Sequence, residues 1–118
     1  MKFIVSSTGL FSHLQAISRV INSKNSLPIL DCFLMELTDG TLSLTASDSE
    51  TTLSTSLEVN ESDGDGRFAV SSKTILEALK EIPEQPLTFE VNTNNLEITV
   101  QYQNGKYSLM GQNADEYP

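Results

Sequence analysis

The sequence predicts a single α+β domain, residues 1–118, in which one unit of strand, helix and three strands (β-α-β-β-β) occurs twice. Two segments place apolar residues at helical spacing, and a short strand-like run precedes each of them. Three runs of alternating apolar and polar residues follow each segment. We interpret this repeated order as an internal duplication, with two helices packed side by side on one face of antiparallel sheets.

The first half begins with a strand predicted over Lys2–Ser6. Ser7 or Thr8 is expected to cap the following helix, since a hydroxyl can accept from the free amides of a first turn. The helix itself is indicated by apolar residues at helical spacing, which are Leu10, Leu14, Ile17 and Ile21. We expect it to end near Asn22 or Ser23 and to be followed by a loop over residues 24–28.

Three strands are predicted next, over residues 29–38, 41–47 and 51–59. Asp39-Gly40 predicts a tight hairpin turn between the first two, because both central residues of such a turn need positive φ. Leu42, Leu44, Leu53 and Leu57 are the residues expected to face the core. Residues 60–66 are interpreted as a polar, acidic loop.

The second half repeats this order. A strand over residues 67–70 leads to a cap at Ser71 or Ser72 and to a helix that Pro83 ends. The apolar face of that helix consists of Ile75, Leu76, Leu79 and Ile82. Strands are predicted over residues 87–92, 96–101 and 106–110, with turns at Asn94-Asn95 and Asn104-Gly105.

The distribution of charge separates the helices from the rest of the chain. The net charge is −9, which argues against a protein that grips nucleic acid over its whole surface. From Thr8 through Lys24 there is no acidic residue, and the second helix carries two charges of each sign. Taken alone, the pattern favours ordinary solvated helices, and it also suits a neutral to mildly basic helical face on an acidic domain.

The residues with catalytic or metal-binding chemistry are few. His13 is the only histidine, so a histidine metal site is not expected, and a helix-flank position is favoured over a catalytic base. Asp48 and Glu50 could act as an acid–base or metal pair, but a turn role is favoured. Cys32 is interpreted as a buried small residue. We expect no catalytic residue, no metal and no cofactor.

No apolar run approaches the length of a membrane span. The first residues are apolar for too short a stretch to be a signal peptide. The sequence therefore favours a cytoplasmic protein with no membrane partner.

Five motifs, in order along residues 1–118, carry a family resemblance. They are Met1-Lys2-Phe3, Ser26-Leu27-Pro28-Ile29-Leu30, the run from Asp39-Gly40 to Thr45, Ser47-Asp48-Ser49-Glu50 and Ala114-Asp115-Glu116-Tyr117-Pro118. Together they resemble the N-terminal domain of the bacterial DNA polymerase III β subunits, the sliding clamps. The last motif departs from the family's Asp-Phe/Tyr-Pro, because Glu116 is inserted in it.

The resemblance implies a non-catalytic processivity factor. Clamp subunits have three domains of similar fold, and two subunits join head to tail into a ring around double-stranded DNA, which is bound without sequence specificity. Helices line the hole, and sheets form the outside. The pocket for DNA polymerase III and clamp-loader peptides lies between the second and third domains, outside this chain.

The resemblance also implies roles for individual residues. Lys24 and Lys73 lie where the family places basic residues that face DNA, and both look like replacements of Arg, which keep the charge but lose the bidentate fork. Helix geometry adds Arg19, Lys80 and Gln15. Tyr107 and Leu109 match an edge strand that packs on the third domain of the partner subunit. Thr74 lies near that interface, where many members carry a basic residue.

Two other classes remain open from the residues alone. One is an enzyme of hotdog type, in which antiparallel strands wrap a helix. The other is a protein-interaction module without nucleic acid. Salt-dependent association of the intact protein with DNA would distinguish the clamp from both.

Overall fold

A computed structural model describes residues 1–21, 27–48 and 50–117. Its elements, in chain order, are β1 (Lys2–Ser6), α1 (Ser7–Ser18), a 3-10 helix (Pro28–Asp31), β2 (Cys32–Thr38), β3 (Thr41–Ser47), β4 (Thr52–Glu58), β5 (Glu61–Asp63), β6 (Gly66–Ser71), α2 (Ser72–Lys80), β7 (Pro86–Val91), β8 (Glu97–Tyr102), β9 (Gly105–Met110) and a 3-10 helix (Ala114–Glu116). The predicted duplication of element order is confirmed.

The two halves exchange their first strands. The first sheet has the order β5-β1-β7-β8-β9, so β1 of the first half pairs with β7 of the second half. The second sheet has the order β4-β3-β2-β6, so β6 of the second half pairs with β2 of the first half. All these pairs are antiparallel. Each sheet is therefore completed by strands of the other half.

The segment that follows each three-strand set returns to the first strand of its own half. After β4, Asn60 N–H donates to Ile4 C=O over 2.8 Å, and β5 then pairs with β1. After β9, Gln112 forms an antiparallel bridge with Ala69 in β6. The duplication therefore extends to these returning segments.

The core is formed by the inward residues of both sheets and by one face of each helix. Leu10, Leu14 and Ile17 are buried on α1, and Ile75 and Leu79 are buried on α2. The helices contact each other; α1 also contacts β3 and β4, and α2 contacts β6. Across the first sheet, the rings of Phe3 and Phe89 stack with centroids 4.9 Å apart. The strands form one packed interior because their apolar residues alternate with exposed polar ones.

The helix boundaries differ slightly from the sequence prediction. Ser6, rather than Ser7 or Thr8, caps α1, and its Oγ accepts from Gly9 N–H over 3.0 Å. Ser71 caps α2, as one of the two predicted alternatives. The α1 helix ends at Ser18 with Arg19 as its C-cap, earlier than predicted. The predicted ends at Asn22 and Ser23, and most of the predicted loop, lie outside the described residues.

Two strand predictions were wrong. The first strand after α1 begins at Cys32 instead of residue 29, because Pro28 initiates a 3-10 helix through Asp31. Residues 61–63 form β5 rather than part of a loop. The other predicted strands are present with ends shifted by at most one residue, as at β8, which begins after Leu96 with its positive φ of 61°. The turn predicted at Asn104-Gly105 was wrong by one residue, because Gly105 pairs with Tyr102 as the first residue of β9 and the turn lies at Gln103-Asn104.

The hairpin prediction is confirmed. Asp39 and Gly40 have φ of 48° and 78° between β2 and β3, the left-handed backbone such a turn requires. The turn sets the register in which Leu37 lies opposite Leu42 and Met35 opposite Leu44, so all four side chains are buried together.

Candidate functional site

The exposed side of α1 is polar and carries no acid. Ser12, Gln15 and Arg19 are exposed and follow one another at helical spacing, so they share a face. Arg19 stands at the C-terminal end of α1, where the helix dipole favours a cation.

The α2 helix, which packs against α1, also has an exposed row of polar side chains. Lys73, Glu77 and Lys80 are exposed and recur at spacings of four and three, so they also share a face. We refer to Ser12, Gln15, Arg19, Lys73, Glu77 and Lys80 as the helical face. The structure thus places four of the five predicted DNA-facing residues on exposed positions of two helices that pack against each other. The fifth, Lys24, lies outside the described residues.

The cations of the helical face are not in ion pairs within the part of the chain that the structure describes. The ion pairs there join strand residues to acids: Lys2 to Glu90 at 3.6 Å and Arg67 to Asp115 at 2.5 Å. The charges of Arg19, Lys73 and Lys80 are thus available to an anionic partner. Glu77 lies between the two lysines and keeps the field of the face weak.

A second feature is the edge formed by β9, which pairs with β8 on one side and ends the first sheet. Tyr107 is half-buried and stacks on Tyr102 with ring centroids 5.3 Å apart. Loss of hydration raises the pKa of Tyr107, and the neighbouring Tyr102 and the Glu81 carboxylate raise it further. Leu109 is only 8% exposed and belongs to the core, whereas Met110 is 66% exposed. We refer to Tyr102, Lys106, Tyr107, Leu109 and Met110 as the β9 edge.

Thr74 lies apart from these residues, in the first turn of α2. Its side chain is exposed, and its Oγ1 donates to Ser71 Oγ over 3.2 Å. Tyr107 instead lies near Glu81, which follows the other end of the helix. The structure thus joins Tyr107 and Leu109 on one strand and leaves Thr74 at a separate position.

Sequence reasoning missed Tyr102 and Met110. The predicted Asn104-Gly105 turn would place Tyr102 directly opposite Tyr107, whereas the hairpin turns at Gln103-Asn104 and places Tyr107 opposite Val100, with Tyr102 diagonal to it. The exposure of Met110 follows by alternation only once the structure shows that Leu109 faces the core.

The remaining chemical candidates have structural roles. The Asp48 carboxylate accepts from the amides of Glu50 and Thr51 over 2.7 and 2.6 Å, which confirms its turn role and lowers its pKa. His13 Nδ1 lies 2.7 Å from Gly9 C=O on the flank of α1. Cys32 is buried, as predicted, and loss of hydration raises the pKa of its thiol to about 11.

No cluster of metal-binding side chains occurs among the described residues. An open surface depression of about 610 Å³ lies against the β8–β9 turn. Within residues 1–21, 27–48 and 50–117, no helix has the length and hydropathy to cross a bilayer.

Two antiparallel sheets, each completed by the first strand of the other half, and two helices packed on one side define a domain of the DNA clamp class. Solved structures share this fold over the whole chain: the β subunit of DNA polymerase from Streptococcus pyogenes (TM-score 0.92, 19% identity) and the DNA polymerase III subunit β from Pseudomonas aeruginosa (TM-score 0.91, 22% identity). In each case the chain covers 32% of that structure. The hotdog arrangement, with a single wrapped helix, is therefore wrong for this chain.

The family is shown by sequence. The family described as DNA polymerase III beta subunit, N-terminal domain, matches residues 1–118, so the chain belongs to it. The beta sliding clamp of Haemophilus influenzae is 29% identical over 121 residues, and that of Bacillus subtilis is 26% identical over 125 residues. Both alignments include all of this chain, which spans about a third of the length of these relatives.

Proposed function

We propose that this chain is the first of three domains of a sliding-clamp subunit, which encircles double-stranded DNA and tethers a replicative polymerase to it. Membership of the β-subunit family supports the proposal. The observation that carries it is the helical face. Arg19, Lys73 and Lys80 form no ion pair with another described residue, although the domain as a whole has a net charge of −9.

The mechanism is topological. A closed ring leaves DNA only by opening or by sliding off an end, so its contacts with DNA can be weak. Weak contacts also suit movement, because each phosphate gripped by a cation adds to the barrier against sliding. A helical face with few cations and an intervening acid, Glu77, fits this requirement.

The contacts of the helical face would be with phosphates and would not read sequence. Arg19, Lys73 and Lys80 supply charge, and Gln15 supplies a neutral amide beside Arg19. Lys24 is assigned to the same surface by its position in the family's pattern. Short polar side chains and lysines with mobile stems suit contacts that form and break as the duplex moves.

The proposed ring closes by head-to-tail association of two subunits. Tyr107 and Leu109 on the β9 edge would pack against the third domain of a second subunit, and Thr74 is assigned to the same interface only by its position in the family's pattern. DNA polymerase III and the clamp loader would bind through the domains that follow this one. The chain is proposed to be non-catalytic and to act in the cytoplasm.

The test is the salt dependence of DNA association by the full-length protein. We would compare Lys73→Ala and Lys80→Ala with Lys2→Ala, a matched control that removes the same charge from the strand side of the domain. We expect the binding constant to fall as salt rises, with a log–log slope smaller by about 0.9 for each helical variant and unchanged for Lys2→Ala. Equal slopes in all three variants would contradict the proposed DNA face.

A further inference from the structure

We infer that Glu77 is the residue that keeps the proposed clamp mobile on DNA, because its carboxylate competes with DNA phosphates for the ammonium groups of Lys73 and Lys80. The inference rests on the proposed function and goes beyond it, since it assigns the ease of sliding to one acid of the helical face. Affinity alone would favour a neutral side chain at this position, because a carboxylate repels phosphates.

The side chain of Glu77 lies on the same face of α2 as the two lysines. At 3.6 residues per turn, positions 73, 77 and 80 lie within about 60° of one another around the helix axis. All three side chains are exposed, whereas Ile75 and Leu79 are buried on the opposite side of the helix. Residues three and four apart on a helix have Cβ atoms about 5–6 Å apart. The carboxylate is therefore within reach of either ammonium group.

Glu77 is also the only acid within α1 and α2. The two acids that follow α2 have other surroundings. Glu81 lies close enough to Tyr107 for an electrostatic interaction, and the Glu84 carboxylate accepts from the hydroxyls of residues at the start of α1. The negative charge in the exposed row of α2 thus comes from Glu77 alone.

No contact in the described structure holds the Glu77 carboxylate in one place. It forms no ion pair with Lys73 or Lys80 and no side-chain hydrogen bond with another described residue. A pair of opposite charges on an exposed helix changes an equilibrium constant by only about twofold. A lysine can therefore exchange the carboxylate for a phosphate, and the phosphate for the carboxylate, with little change in free energy.

The hydroxyl groups of α1 do not add to the contacts with phosphates. Ser12 Oγ donates to Gly9 C=O over 3.2 Å, and Ser18 Oγ donates to Gln15 C=O over 2.8 Å. The charged oxygens of a phosphate only accept hydrogen bonds, and each hydroxyl has a single proton, which is already used. The resistance to sliding is therefore set mainly by the cations, and Glu77 lies beside two of them.

The carboxylate lowers this resistance in two ways. A lysine that leaves one phosphate can pair with Glu77 before it reaches the next, so its ammonium group keeps an anionic partner during the step. The carboxylate also leaves the row of Lys73, Glu77 and Lys80 with a net charge of +1, which weakens each contact with phosphate. Removal of the carboxylate should therefore lengthen each lysine–phosphate contact and slow the movement of the ring.

The test is the one-dimensional diffusion coefficient of the full-length protein, measured by tracking single labelled rings that the loader has placed on stretched duplex DNA. Glu77→Gln keeps a good helix former and removes the charge. We expect it to lower the diffusion coefficient by about twofold or more at about 0.05 M NaCl, with a larger decrease for Glu77→Lys. The difference should vanish at about 0.5 M NaCl, where the Debye length is only about 4 Å.

Glu90→Gln is the matched control. Glu90 pairs with Lys2 at 3.6 Å, so its replacement removes the same charge and also frees a lysine, but on the strand side of the domain. The diffusion coefficient of Glu90→Gln should equal that of the native protein. Glu77→Asp, which retains a carboxylate on a shorter side chain, should lie closer to the native protein than Glu77→Gln does.

The outcomes distinguish the inference from the proposed function. A diffusion coefficient that is unchanged in Glu77→Gln, or that falls equally in Glu90→Gln, overturns the role of Glu77 and leaves the ring intact. A native protein that is lost equally from circular and linear DNA contradicts the ring itself, and the inference falls with it. A decrease that is confined to Glu77→Gln and Glu77→Lys and is abolished by salt supports the inference.

Discussion

Gln112 and Ala69 exchange two backbone hydrogen bonds, with N···O distances of 2.8 and 3.0 Å, and so join the segment after β9 to the free side of β6. Beyond this bridge, Asp115 pairs with Arg67, and Tyr117 packs on a small cluster of Ile29, Leu30, Cys32 and Ala69. The returning segment thus closes a gap between the two sheets, and its position depends on a close approach at Gly111.

The first prediction concerns that approach. A Cβ at Gly111 would lie 3.0 Å from Leu96 C=O, 3.2 Å from Ile98 Cδ1 and 3.3 Å from Ala69 C=O. Because two of these atoms are backbone, Gly111→Ala should lower the free energy of unfolding by about 1–3 kcal/mol. Chemical denaturation measures this difference in unfolding free energy. Gly105→Ala is the control, because its Cβ would meet only Tyr102 at 3.4 Å, and an equal loss there would contradict the explanation.

The second prediction concerns Ser7, whose side chain links the first half of the chain to the segment after α2 in the second half. Ser7 Oγ donates to Pro83 C=O and accepts from Gln85 N–H, both over 3.0 Å, and Ser7 is 1% exposed. Ser7→Ala leaves both backbone groups without this partner, so we expect a loss of about 1–3 kcal/mol in unfolding free energy. Ser12→Ala, on the exposed side of α1, should change it by less than about 0.5 kcal/mol. Similar losses of unfolding free energy in the two variants would show that the hydrogen bonds of Ser7 do not stabilise the contact between the halves.

The third prediction is a pH dependence at Glu84. Its carboxylate accepts from the hydroxyls of Ser6 and Thr8, and these bonds lower its pKa from the ordinary 4.5. A carboxyl with a lower pKa in the folded state stabilises the protein above its unfolded pKa. This stabilisation is lost as the pH falls below about 4.5 through the folded pKa.

Glu84→Gln should therefore flatten the fall in unfolding free energy on acidification below about pH 4.5. Glu116→Gln is the control, because its carboxyl makes no side-chain contact of this kind in the described structure. Parallel curves for the native protein and Glu84→Gln, measured by denaturation across that range, would show that the Glu84 carboxylate does not stabilise the folded protein.

The fourth prediction concerns ring closure. In the full-length protein, Tyr107→Ala should raise the dimer dissociation constant about tenfold, because it removes half of the stacked pair at the β9 edge. The double variant with Leu109→Ala should weaken the dimer further, but Leu109 is a core residue. Its substitution also costs about 2–5 kcal/mol of folding stability. Tyr107→Ala is thus the cleaner variant, and an unchanged constant in analytical ultracentrifugation would contradict the proposed interface.

The sequence predicted the element order because both helices have clear apolar faces and the turns use residues with distinctive backbone preferences, as at Asp39-Gly40. It did not predict β5, because residues 61–63 are polar and all exposed. Their strand conformation comes from pairing with β1, a long-range contact that leaves no periodic signal. The exchange of β1 and β6 between sheets is hidden for the same reason.

The site was predictable in part. Helical spacing placed Arg19, Lys73 and Lys80 on exposed faces, but only the structure shows that the two helices pack against each other. The tyrosine stack depends on the register of the β8–β9 hairpin, which brings Tyr107 opposite Val100 and beside Tyr102. Leu109 shows the limit of a resemblance, because its position on an edge strand did not reveal that its side chain faces the core.

The central claim is that the full-length protein acts as a closed ring. The direct measurement loads it with its loader onto nicked circular DNA, raises the salt, and compares retention before and after the circle is linearised. We predict that the protein stays on circles at a salt concentration that abolishes ordinary electrostatic binding and is lost from linear ends. Equal loss from circular and linear DNA would contradict the ring and leave only weak electrostatic association.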